Sequence, residues 1–223
     1  MNNPPDLDIL YLDNHLIAVN KPAGALTQSD DSGEVSLMDK IKDWIKIEYK
    51  KPGNVFLGLV HRLDRPVSGV VIFGRTSKGA SRLSEQFRKK TTQKIYQARV
   101  EGTPGPQQAI LKHYLKKEKS LKTTVFPRSA PEAKEARLDY KVLETSANTS
   151  LLDIQLHTGR FHQIRAQLSF IGHPIVGDKK YGAKTELPHG RIALHARSIV
   201  FNHPTSKEEI TINCPLPQDW PTS

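Results

Sequence analysis

Val60-His61-Arg62-Leu63-Asp64-Arg65-Pro66-Val67-Ser68-Gly69-Val70-Val71-Ile72-Phe73 sets a basic, acid-bearing loop directly against an apolar run. Val70 to Phe73 predicts a buried strand: four consecutive apolar residues, two of them β-branched valines, entered through Ser-Gly. The loop before it places one carboxylate, Asp64, between Arg62 and Arg65. Neighbouring cations favour the charged form of an acid. Asp64 therefore suits a nucleophile or an electrostatic anchor better than a general acid. A surface Arg-Asp-Arg turn capping a strand fits the same spacing, so this stretch alone fixes a strand and a loop but not an activity.

Outward from that strand, the chain reads as alternating short β-runs and three helices. Ile9–Leu12 and Leu16–Val19 flank the turn cluster Asp13-Asn14-His15 and predict a hairpin. Asn20-Lys21-Pro22-Ala23-Gly24 then breaks the second strand. Ser36 with Asp39 three residues on resembles a capping box and opens a helix to Tyr49, with Leu37, Ile41, Trp44, Ile45 and Glu48 on one face. Lys50-Lys51-Pro52-Gly53 ends it. Ser77 to Lys90 predicts a second helix with Ala80, Leu83 and Phe87 as its core stripe and a basic outer face. That face suits the helix dipole and offers a track for phosphates.

Gln93–Glu101 alternates, the span from Ala109 to Val142 reads as successive strands with charged turns, and Ser150–Leu156 alternates again. A third helix is expected from Gly159, with Phe161, Ile164, Leu168 and Ile171 on one side, stopped by Gly172 and Pro174. Two more β-runs follow, Ile192–Phe201 and Glu209–Ile212. Strands outnumber helices and come in consecutive groups, so the expected class is α+β.

Composition narrows the function classes. The 223 residues carry 33 Lys and Arg against 23 Asp and Glu, a net charge of +10, which suits a polyanionic partner, most often a nucleic acid. A lone cysteine, Cys214, excludes an intrachain disulfide and a cysteine zinc site. The first residues lack the basic and apolar regions of a signal peptide, and no apolar run approaches the roughly 20 residues of a membrane span, so a cytoplasmic protein is expected. His157 and His162 are five apart, without a carboxylate at ligand spacing, so no metal is expected. Ser68 lacks the glycines of a nucleophile elbow. No phosphate loop or GxGxxG is present, so a nucleotide cofactor is unsupported. A glycosidase-like reaction stays open for Asp64, but no second acid stands in a comparable motif.

His61-Arg62-Leu63-Asp64 followed by Ser68-Gly69 resembles the catalytic motif of the RluA-type pseudouridine synthases. His157-Thr158-Gly159-Arg160-Phe161-His162-Gln163-Ile164-Arg165 is similar to the same family's second signature. The resemblance runs from about Ile9 to about Pro217. It implies a single catalytic domain over residues 9–217, between a lead at 1–8 and a tail at 218–223. It implies a mostly antiparallel mixed sheet flanked by helices, with a central RNA-binding cleft. The implied reaction converts a specific uridine of ribosomal or transfer RNA to pseudouridine, without cofactor or metal, in an enzyme taken as a monomer.

The resemblance also assigns roles. Asp64 is the nucleophile, Tyr96 of Lys94-Ile95-Tyr96 stacks on the target base, and Arg165 pairs with the catalytic Asp. Arg62 fills the helix when the base leaves it. His61, Lys94, Arg160, His162 and Gln163 join it in substrate binding. In the family, the Asn-Lys-Pro-x-Gly segment helps form the active-site floor. Physical chemistry accommodates these roles: a base buried in RNA must be flipped out before its glycosidic bond is reachable, and an aromatic can hold it. Each also has a structural counterpart. Tyr96 in an alternating strand fits a core aromatic, and Arg165, about 100° round a helix from Ile164, fits a boundary residue. Arg160, His162 and Gln163 fit a helix cap.

Three departures from the family pattern bear on substrate preference more than catalysis. Val67 stands for a Thr, Phe161 for a commoner Thr, and Ala166-Gln167 for Val-His. The family's small N-terminal RNA-binding domain is not expected here, so recognition falls to the catalytic domain. A non-catalytic RNA-binding factor and a small-molecule glycoside enzyme are the rival classes. The former keeps RNA binding without isomerisation, and the latter predicts little salt dependence.

Overall fold

The computed structural model describes residues 7–221. Most of the expected N-terminal lead (residues 1–6) and the last two residues of the expected tail lie outside the described residues. The chain forms two compact units, one running to Thr92 and resuming over Arg197–Pro215, the other built from Gln93–Ala196 and the residues from Leu216 onward. The class is α+β, as the strand and helix pattern predicts.

In the first unit, β1 (Asp8–Leu12), β2 (Leu16–Lys21) and β4 (Ser68–Gly74) lie side by side and antiparallel, with the short β3 (Gly58–Leu59) also on β4. Asp13 closes the first hairpin as an Asx turn: its Oδ1 accepts the N–H groups of His15 and Leu16 at 2.6 and 2.7 Å. The apolar run Leu16–Val19 has no exposed surface, and Val70–Phe73 is equally buried, as continuous apolar strands require when both faces are covered. Helices α1 (Leu37–Glu48) and α2 (Ser77–Lys89) bury Leu37, Ile41, Ile45, Ala80 and Leu83. The Ser36/Asp39 capping box is formed in both directions, while Trp44 is half-buried and Glu48 exposed. Gly74 cannot carry a side chain, because a Cβ there would sit 2.5 Å from that of Ala80. That close approach lets α2 lie directly on the motif strand.

The second unit is an antiparallel meander. Strands β5 (Gln93–Glu101), β6 (Gln108–Lys117), β7 (Thr123–Phe126), β8 (Lys134–Thr145) and β9 (Thr149–Leu156) take the spatial order β5-β9-β8-β6-β7. β9 alternates buried and half-buried residues along its whole length, so Leu152, Ile154 and Leu156 face one core. Helix α3 spans Gln163–Phe170. Strand β10 (Leu194–Asn202) carries the chain back into the first unit, where β11 (Glu209–Asn213) pairs with its second half. Among the described residues, no helix is long and apolar enough to cross a membrane.

Helix α3 corrects the expected start at Gly159. His162 adopts left-handed backbone angles (φ 51°) and stands outside the helix as its N-cap. The side-chain oxygen of Gln163 accepts the Arg160 N–H at 3.0 Å and the Thr158 hydroxyl at 2.7 Å. These bonds close residues 158–162 into a loop, so Phe161 leaves the apolar stripe that helical spacing gives it.

Candidate active site

The backbone of the Asp64 loop is gripped from behind. Thr27 Oγ1 donates to the Leu63 carbonyl at 3.0 Å and accepts the Leu63 N–H at 3.4 Å. Gly24 N–H donates to the Arg65 carbonyl at 2.7 Å, and Arg65 Nε donates back to the Gly24 carbonyl at 3.0 Å. Val67 N–H closes the turn onto the Asp64 carbonyl at 3.0 Å. Leu63 and Val67 are buried, Asp64 itself is half-buried, and Arg62 is exposed. The carboxylate is thus carried between two fixed peptide segments, as a reacting group held at one position needs to be. Gly24 sits at φ 90°, the left-handed region open to glycine.

Beneath the loop lies Lys21, fully buried. Its ammonium donates to the carbonyls of Pro22 (3.0 Å), Ala25 (2.8 Å) and Arg65 (3.2 Å), using all three of its donors. Burial pushes its pKa down to about 7, with the charge of Asp64 opposing that shift and the charge of Arg65 adding to it. The segment Asn20–Gly24 is therefore the floor of the Asp64 loop, tied together by one buried cation.

His61 is turned inward. Its Nε2 accepts the Ile72 N–H at 3.0 Å and its ring stacks on Phe87 of α2, 4.7 Å between centroids. It thereby fastens the loop to β4 and to α2.

The second signature folds around Gln163. Besides accepting from Arg160 and Thr158, its Nε2 donates to the Arg137 carbonyl at 3.1 Å, and the residue is buried. Arg165, the third residue of α3, is only 5 % exposed rather than at the edge of the core. Its guanidinium forks onto Asp178, with Nε to Oδ2 at 2.7 Å and Nη2 to Oδ1 at 2.9 Å. Tyr181 Oη accepts the Thr123 N–H at 2.9 Å, which leaves its hydrogen for His162 Nδ1, 3.0 Å away. Burial, followed by the charges of Arg165 and Lys180, pushes the His162 pKa down to about 3, consistent with a neutral ring that accepts from Tyr181. Lys94 and Tyr96 stand on β5, both half-buried, with Tyr96 opposite Ile154.

The structure thus gathers His61, Arg62 and Asp64 in the first unit and Arg160, His162, Gln163 and Arg165 at the start of α3 in the second, with Lys94 and Tyr96 on β5. Four residues behind these sites were missed as individuals: Lys21, Thr27, Asp178 and Tyr181. The Asn-Lys-Pro-x-Gly turn was a signal for the first. Among the described residues, no three His, Cys, Asp or Glu side chains gather as a metal site would require.

Comparison with known proteins places this geometry. The family model for RNA pseudouridylate synthase matches residues 15–170. The tRNA pseudouridine synthase C of Haemophilus influenzae is 36% identical over 235 residues, covering 96% of this chain and 95% of its own length. The ribosomal large subunit pseudouridine synthase C of Buchnera aphidicola is 35% identical over 216 residues, covering 93% of this chain and 66% of its own length. The solved structure of human RNA pseudouridylate synthase domain containing 4 superposes with a TM-score of 0.79 at 26% identity, covering 96% of this chain and 90% of that one.

The chain belongs to the RNA pseudouridylate synthase family, isomerases acting on RNA. Within it, the chain is of the RluA type that its two signatures resemble.

Proposed function

We propose that this chain isomerises a specific uridine in ribosomal or transfer RNA to pseudouridine in the cytoplasm, working as a monomer without cofactor or metal, with residues 9–217 acting as one catalytic domain. The relatives named for transfer and ribosomal RNA support both substrate classes. The observation that carries the reading is the Asp64 loop, whose backbone is bonded to Gly24 and Thr27 on both sides of the carboxylate.

In this reaction the N1–C1′ bond of uridine breaks and a C5–C1′ bond forms. The C5 proton leaves and N1 gains one, so the atoms balance without an external reagent. Asp64 serves as the nucleophile, Tyr96 holds the extruded base, and Arg165 belongs to the same catalytic group. Exposed Arg62 replaces the stacking lost when the base flips, a step that costs roughly a few kcal/mol. Lys94, Arg160, His61, His162 and Gln163 serve substrate binding.

Carbodiimide mapping of pseudouridine in RNA from deletion cells complemented with wild type or Asp64→Asn tests this. A site lost on deletion and restored only by wild type names the substrate. Removal of a nucleophile lowers turnover by roughly 10⁴-fold or more. Restoration by Asp64→Asn would remove Asp64 from the chemistry.

A further inference from the structure

A groove of about 540 Å³ opens in the second unit, lined by Leu115, Lys116 and Lys117 of β6, Thr123, Glu132, Lys134, and the loop residues Gly159, Arg160 and Phe161. Four cationic side chains face one carboxylate there, and Glu132 is engaged by Lys116 at 2.5 Å. Lys117 and Lys134 are exposed, with Lys134 directly opposite Leu115 in the β6–β8 ladder. Arg160 is steadied by Nε donation to the Glu135 carbonyl at 2.9 Å.

Phe161 is the unusual member. Left out of α3, it is held by its carbonyl, which accepts the Thr123 hydroxyl at 2.8 Å. The His162 ring stacks on it with centroids 3.8 Å apart and planes 21° from parallel, and the Lys117 ammonium lies 4.6 Å from its centroid. A ring stacked that closely fills one face, so the ammonium occupies the other. A flexible exposed lysine over an aromatic face is an exchangeable cover: cation–π attraction at exposed sites is worth about 0.5–1 kcal/mol, against about 1–3 kcal/mol for a stacked base. A base displacing the ammonium leaves it free to meet the phosphate that arrives with it.

We propose that this groove takes an unpaired nucleotide of the substrate RNA flanking the target, its base on Phe161 and its phosphates on Lys117, Lys134 and Arg160. The inference rests on the pseudouridine synthase reading for the identity of the RNA. It makes Phe161 a specificity-determining residue, since stacking requires an unpaired base whereas the cations alone accept any polyanion.

Anisotropy of a fluorescein-labelled 12-nucleotide single-stranded RNA of mixed sequence, and of a 12-base-pair duplex, measures the groove directly. Phe161→Leu should weaken single-strand binding about tenfold and leave the duplex within about twofold, while Phe161→Tyr keeps wild-type affinity. Lys134→Gln, which changes only an exposed side chain at the start of β8, should lower the single-strand salt slope by about 0.7. On tritium release from [5-³H]uridine-labelled ribosomal and transfer RNA, the Phe161→Leu loss in kcat/KM should fall on KM.

Unchanged single-strand affinity in Phe161→Leu, or an unchanged slope in Lys134→Gln, overturns the groove. If wild type still releases tritium in that case, the isomerase reading stands without it. Tenfold weaker binding in Phe161→Leu with no tritium release by wild type sustains the groove and removes the isomerase. Poly-L-glutamate competing as well as single-stranded RNA of equal length overturns the RNA assignment in favour of an acidic polypeptide.

Discussion

Two buried cations, one beneath the first signature stretch and one within the second, are stabilised in opposite ways. Lys21, under the Asp64 loop, has no exposed surface and spends its three donors on neutral carbonyls. Arg165, inside α3, is forked onto the carboxylate of Asp178, with the side chains 6 % and 1 % exposed. A buried lysine on dipoles sheds its proton readily, whereas a guanidinium keeps its charge and its planar fork fits a carboxylate. The first region therefore accommodates its cation on neutral carbonyls with a lowered pKa, and the second accommodates its cation by pairing. The difference separates a loop whose backbone is fixed through carbonyls from a helix start fixed through an ion pair.

The largest effect expected from this contrast is at Asp178. Asp178→Asn removes a charged partner from the buried Arg165 guanidinium and should cost about 3 kcal/mol of stability, read by urea denaturation. A cost under about 1 kcal/mol would mean that other groups carry the guanidinium, and the contrast with Lys21 would fail. Lys21→Met comes next. It takes the donor from three part-buried carbonyls but also removes a desolvated charge, so the net loss should be about 2 kcal/mol at pH 7.

The same variant sharpens the comparison through pH. The folded pKa of Lys21 is lowered from 10.5 to about 7. Between those values the unfolded chain binds a proton that the folded chain does not, so the Lys21 contribution to stability rises with pH across this window. Below pH 7 both states hold the proton and the penalty for burying the charge is fully present. Lys21→Met should show a flatter stability profile from pH 7 to 10 than wild type. Parallel profiles would show that Lys21 remains charged when buried.

The elements were legible in the sequence wherever periodicity was strong. Leu16–Val19 and Val70–Phe73 read as buried strands because continuous apolar runs admit little else, and Ser36/Asp39 marked the start of α1 through a local hydrogen-bond pattern. The start of α3 was not legible: it depends on left-handed angles at His162 and on a Gln163 side chain reaching back three residues. Nothing in helical spacing separates Phe161 from Ile164, yet one lines a groove and the other the core. Both buried cations were obscured for the same reason, since Lys and Arg read as solvated until their partners are placed. Asp178 lies 13 residues from Arg165 in the chain, beyond any local pattern.

The smallest effect tests whether Arg165 also shapes its neighbour. Burial and the Arg165 charge hold the His162 pKa down from 6.5 to about 3. As pH falls through that window, the unfolded chain takes up a proton that the folded ring refuses, so stability falls with acidification and is unaffected above about pH 6.5. His162→Asn keeps a side chain that tolerates left-handed backbone and removes the titration. Its loss of Tm between pH 6.5 and 4.5 should be smaller than wild type's, with the two profiles parallel from pH 7 to 9. An equal acid-side loss would mean that His162 protonates freely in the fold, and the Tyr181 hydrogen bond would then have to run the other way. The comparison would be left with one titrating region instead of two, because the acid limb assigned to the Arg165 side rests on His162 staying neutral.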